Sequence, residues 1–132
     1  MFSQEELSYL QSHPLARLGT VTSDGQPDVD AVGYEFDGTH FYIGGRQFRS
    51  TRKYKNVATG NLKVSLIIDD LIMSPWEPRG IKLHGVAEIV ESEGRFGVAT
   101  YIAITPTTSW SWGIEAPHMQ AGQYTPKKII GP

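Results

Sequence analysis

Residues 44–60, GGRQFRSTRKYKNVATG, hold five of the chain's twelve cationic side chains: Arg46, Arg49, Arg52, Lys53 and Lys55. No acid lies between Asp37 and Asp69, so with Lys63 that interval carries +6. The net charge of the chain is −2, which leaves −8 on the remainder. Cations gathered beside a Gly-Gly approach and the hydroxyls of Ser50 and Thr51 suit the capture of an anion, phosphate above all. A solvated, charged helix face has the same residue types, and the sequence admits both readings.

The element that must position these groups is a short helix. Ser50 and Thr51 are favourable N-caps, and Gly60 is a usual stop. Tyr54, Val57 and Ala58 then share one face, which is expected to pack inward. Arg52 and Lys53 fall in the first turn, where unpaired N–H groups already make the helix end positive. Cations there weaken an isolated helix, and a bound anion relieves the conflict.

The remaining chain reads as strands joined by tight turns. Ser3 and Glu6 form a capping box for a first helix that stops before Pro14. Strands are expected over residues 16–22, 28–36 and 40–43, with hairpin turns at Asp24-Gly25 and Asp37-Gly38. Gly33 marks either a bend or a place where a flat ligand meets the backbone. Residues 62–69, LKVSLIID, form a nearly continuous apolar run, expected to be a central strand ended by turn residues Asp69 and Asp70. Residues 80–90 alternate, with Ile81, Leu83, Ala87 and Ile89 inward and His84 at the surface. A turn over 91–97 and a last strand over 98–105, closed by Pro106, complete the set. Trp110 and Trp112, two apart, share a face on extended backbone, where they either plug a barrel end or border a planar ligand or partner. Residues 115–132 read as a loose tail. The sum is one mostly β domain over 1–132, a six-stranded antiparallel barrel with short flanking helices.

Composition narrows the chemistry. Apolar residues at 39% and charged residues at 20% describe a folded globular chain with a core, not a disordered one. With no cysteine, disulfides, thiolate nucleophiles and Cys-ligated metals are excluded. His13, His40, His84 and His118 have no metal-ligand spacing, so no metal site is expected. No apolar run is long enough to span a bilayer, and the acidic start MFSQEELSYL is unlike a signal peptide, so a cytoplasmic location and no membrane partner are expected. Only Phe48 and Tyr54 lie near the basic stretch, too few aromatics for single-stranded nucleic acid, so no nucleic-acid partner is expected.

The segments FSQEELSYLQS, ARLGTVTSDGQPDVDAVGYEF, YIGG, STRKYKNV, VSLIIDD, PWEPRGIKLHGVAE and SWG, in this order and spacing, resemble the flavin/deazaflavin oxidoreductase family of split β-barrels related to pyridoxamine 5′-phosphate oxidase. The similarity runs from Phe2 to Gly113. It implies a homodimer with two cofactors at the subunit interface. It also implies a cofactor phosphate against Ser50, Thr51, Arg52 and Lys53, a ring along the barrel strands, and the SWG region of one subunit near the other's cofactor. Candidate cofactor contacts are then Gly45, Arg46, Ser50, Thr51, Arg52, Lys53, Asn56, Arg79, Trp76 and Trp112, with Trp76 and Trp112 as walls of a substrate pocket.

The chain is shorter than pyridoxamine phosphate oxidases and lacks their substrate-phosphate motifs, so oxidation of a vitamin B6 phosphate is not expected. It looks more like the actinobacterial branch that uses the deazaflavin coenzyme F420. The longer anionic tail of that cofactor would engage Arg17, Arg46, Arg49 and Arg79, whereas FMN presents one phosphate. The expected activity is hydride transfer between reduced F420 and a small electron-poor substrate, with no catalytic side chain singled out, because the cofactor carries the chemistry. An FMN-dependent oxidase or reductase, and a non-catalytic flavin or tetrapyrrole carrier, are the alternatives.

Overall fold

The computed structural model describes residues 1–94 and 97–131. Helix α1 (Gln4–Ser12) precedes β1 (Leu15–Val21), β2 (Pro27–Gly33), β3 (Glu35–Phe36) and β4 (Phe41–Ile43). A 3-10 turn (Phe48–Ser50) leads into α2 (Arg52–Ala58). Then come β5 (Lys63–Ile72), β6 (Glu77–Gly94), β7 (Gly97–Trp112), β8 (Met119–Gln120), β9 (Gln123–Tyr124) and β10 (Lys127–Ile130).

Eight strands form one antiparallel sheet in the order β2-β1-β5-β6-β7-β4-β3, with β10 also paired to β7. The strands β2 and β3 stand at opposite ends of this path, yet only Tyr34 separates them in the chain. The sheet therefore has to curl until its two edges meet at Gly33-Tyr34, which makes the glycine a bend. No described ladder joins those edges, so eight strands curl around an open seam where a six-stranded split barrel was expected.

The inner face is apolar. Leu18, Phe41, Ile43, Leu66, Ile68, Ile81, Leu83, Ile102 and Ile104 are essentially inaccessible, with Leu10 of α1 and Val57 of α2 packed into the same core. Alternation in β6 is as expected: Ile81, Leu83 and Ala87 are buried, and Lys82, His84 and Glu88 are exposed. The capping box of Ser3 and Glu6 and the hairpin glycines Gly25 and Gly38, both at positive φ, are present.

Five further expectations are corrected. Pro106 does not end the last strand, because β7 passes through it where the register slips between His84 and Gly85, and a bulge is where a sheet tolerates a residue without an N–H. Asp69 and Asp70 are strand residues of β5, not turn residues. On α2, Asn56 is buried and Ala58 exposed, since the inward stripe is rotated toward a polar contact with β1. The C-terminal residues are not loose: β10 pairs with β7 from Lys127↔Ser111 to Ile130↔Thr108. The turn expected over 91–97 is a hairpin in which Glu91 to Gly94 are still strand, and positions 95 and 96 lie outside the described residues.

Candidate functional site

The outer face of the sheet carries a shallow groove of about 540 Å³, lined by Gly19, Val21, Val29, Ser65, His84 and Val86 among others. Cross-strand register explains its shape. One row runs Val29, Gly19, Ser65, His84, Thr108 across β2, β1, β5, β6 and β7, with small side chains at its centre. The adjacent row runs Ala31, Arg17, Ile67, Lys82, Trp110 and Lys128, and stands taller. A flat floor beside a raised wall results. The volume is in the range of small-molecule sites, roughly 300–1,000 Å³.

Gly19 is the informative floor residue. A Cβ there would meet Ser65 at 3.7 and 3.8 Å and the Asp28 carbonyl at 4.0 Å, all ordinary contacts. Its backbone is not in the left-handed region. The fold thus does not require glycine at a mid-strand position where glycine is unfavourable. What the missing side chain leaves is a bare strip of backbone that a planar group can lie on.

The basic segment joins this groove through Asn56. Its buried amide donates to the Thr20 hydroxyl at 2.9 Å, and Thr20 is the neighbour of Gly19 on the groove wall. Asn61, just past α2, donates to the carbonyls of Val21 and Thr22 at 2.9 and 2.8 Å. Upstream, Gly45 (φ 151°) and Gln47 (φ 51°) turn the chain so that Phe48 is buried against Tyr54. The Thr51 hydroxyl accepts from the Tyr54 N–H at 3.3 Å and donates to the Phe48 carbonyl at 2.6 Å, while the Ser50 hydroxyl donates to the Gln47 carbonyl at 2.7 Å. At seven residues, α2 is too short for its dipole to matter much, so any anion affinity rests on side chains.

Those side chains divide into two sets. Arg49 is occupied by Glu91 (3.1 Å), Thr100 (2.9 Å) and the Tyr54 hydroxyl (3.1 Å). Lys53 lies 3.7 Å from Asp30. Arg46, Arg52 and Lys55 are exposed and form no salt bridge among the described residues, although Arg52 lies within electrostatic reach of Asp24. The free cations are therefore fewer than the sequence count suggests, and they flank α2.

The other candidates stand elsewhere. Arg79 grips Asp70 at the α1 end of the barrel, with the Tyr9 hydroxyl donating to Asp70 at 2.9 Å and His13 Nε2 3.1 Å from it. The Arg79 bond, the largest influence, holds the Asp70 carboxyl well below the usual range, and burial pushes the Tyr9 phenol up. Arg17 is paired with Asp69. Trp112 packs over Gly80, where a Cβ would fall 2.5 Å from its ring. Trp76 is exposed at the β5–β6 tip. Arg79 is eight residues along β6 from Ala87, which binds the Leu62 carbonyl just past α2, about 26 Å at ~3.3 Å per residue. Within one chain, then, Arg79 and the basic helix do not converge.

Gly19, Ser65 and His84 were not singled out by spacing, because a groove on a sheet is built across strands. The glycine in ARLGTVT, placed mid-strand, was the available signal.

A sheet curled about an apolar core, with a bare groove outside it and a basic helix hydrogen-bonded to the groove wall, defines a flavin-type split barrel. Residues 2–121 match the pyridoxamine 5′-phosphate oxidase family, and the chain belongs to it. A 5a,11a-dehydrotetracycline/5a,11a-dehydrooxytetracycline reductase of Streptomyces rimosus is 34% identical over 122 residues, covering 86% of this chain and 84% of that protein. Among solved structures, the fold is shared with the conserved hypothetical protein Rv2991 of Mycobacterium tuberculosis (23% identity, TM-score 0.68, 93% of this chain and 94% of that one). It is shared too with an F420 reductase (23% identity, TM-score 0.61, 77% and 93%).

Proposed function

We propose that this protein is an F420-dependent reductase that works as a cytoplasmic homodimer and acts on small molecules with an activated double bond. The observation that carries the reading is the bare groove at Gly19, on a strand that the Asn56–Thr20 bond ties to the basic helix, together with the exposed cations Arg46, Arg52 and Lys55 of that segment. A planar tricyclic ring fits the flat floor, and an anionic side chain fits the cations, so the residues present suit a deazaflavin.

Reduced F420, when bound, supplies a hydride. The chain's part is to hold and orient. Gly19 and Ser65 offer the ring a flat seat, while Arg46, Arg52 and Lys55 hold the phosphate. The exposed outer residues Leu15, Val29 and Val86 provide apolar surface for a second copy of the chain, which would close the groove to water. Arg79, Trp76 and Trp112, remote from α2 in one subunit, would border the partner's site.

Two lines of support favour F420 and reduction. The curated relative is a reductase whose substrate name denotes a carbon–carbon double bond, and a structural neighbour is an F420 reductase. Parallel fluorescence titrations with F420 and FMN test the cofactor. Binding of F420 in the micromolar range or tighter, roughly −8 kcal/mol or better, with weaker binding of FMN, is expected. Preference for FMN would make the protein a flavin enzyme of the same family, and failure to bind either would end the reading.

A further inference from the structure

We infer that His84 is the proton donor of the proposed reductase. This rests on the function proposed above. His84 lines the centre of the groove, one strand from Ser65 and in the same cross-strand row as Gly19. Its side chain is exposed, with an edge-on contact to Trp110 (centroids 4.8 Å apart, planes at 70°) and no hydrogen bond on either ring nitrogen among the described residues. Trp110 is itself fixed by Lys82 at 4.5 Å and Lys128 at 5.6 Å. The imidazole is thus oriented by an aromatic wall and left with both nitrogens available to a ligand.

The chemistry needs such a group. Hydride added to the β-carbon of an enone forms a C–H bond, and the double-bond pair moves onto the carbonyl as an enolate. His84, as imidazolium, gives its N–H proton to the α-carbon, completing a saturated ketone, and takes a proton back from water. The oxidised cofactor releases its remaining ring proton to solvent, so two electrons and two protons are accounted for. The other ionisable side chains among the groove's lining residues are Asp28 on β2 and Lys63 on β5.

The test uses the full-length wild type and His84→Gln, with F420 binding followed by fluorescence and turnover of 2-cyclohexen-1-one or 5a,11a-dehydrooxytetracycline followed by oxidation of reduced F420. Unchanged F420 affinity and a kcat at least tenfold lower in His84→Gln are expected. A variant that keeps its kcat overturns the role of His84. Wild type that binds F420 yet reduces neither enone overturns the inference but leaves the cofactor reading standing. Wild type that does not bind F420 fails the functional reading itself.

Discussion

Arg79 holds Asp70 by two parallel bonds, Nε to Oδ1 at 2.9 Å and Nη2 to Oδ2 at 2.5 Å. The pair links neighbouring positions on β5 and β6, and Tyr9 and His13 bring the end of α1 onto it. An arginine that the sequence offered as a ligand contact is in this chain the clasp between helix and barrel.

That clasp should be visible in acid. The folded pKa of Asp70 is depressed, so the unfolded chain binds more protons as pH falls below the ordinary carboxylate range. The stabilisation is present above about pH 4 and lost as pH falls toward the folded value. Asp70→Asn is expected to cost on the order of 2 kcal/mol at pH 7 and to flatten the acid limb of stability. Urea unfolding at pH 7, 4 and 3 measures both, and a variant as acid-sensitive as the wild type would remove Asp70 as the cause.

Substitutions of the free cations should act on binding alone. Arg52 is exposed and forms no salt bridge among the described residues, so Arg52→Ala should leave the melting temperature within a degree or two while weakening F420 about tenfold, near 1.4 kcal/mol. Arg79→Ala should lower stability through Asp70. Calorimetric melting beside fluorescence titration separates the two, and wild-type affinity in both Arg52→Ala and Lys55→Ala would exclude the phosphate site there.

Gly19→Val tests the groove. The new Cβ meets only ordinary contacts and valine gains strand propensity, so stability should hold or rise slightly. It would stand on the floor of the groove, and F420 affinity should fall by about a hundredfold, ~2.7 kcal/mol. A bound cofactor of undiminished affinity would put the ring elsewhere.

Lys127 ties the last strand to the first helix. Its ammonium donates to Glu6 at 3.2 Å and to Glu115 at 2.8 Å, and Glu6 is buried. The Ser3 N–H still donates to Glu6 at 2.9 Å, which limits the loss. Lys127→Met is expected to cost about 1–3 kcal/mol and to raise amide exchange across β10 and the facing part of β7. Unchanged protection at residues 127–130 would show that the ladder needs no such tie.

Much of this molecule was legible along the chain. Alternation in residues 80–90 placed Ile81, Leu83 and Ala87 inside, Ser3 and Glu6 started α1, Thr51 capped α2, and Asp-Gly pairs made the first two hairpins. Each depends on neighbours within a few residues, so one-dimensional spacing contains the information. The sequence also determined that positive charge is concentrated around α2. Which of those cations are free was decided only in three dimensions, because Glu91 and Asp30 come from other strands to neutralise Arg49 and Lys53. The groove is of the same kind: Gly19, Ser65 and His84 are 46 and 19 residues apart in sequence and become one row through antiparallel register. Hydrophobic period fixes a strand's inner face, but long-range pairing alone selects which outer residues stand side by side.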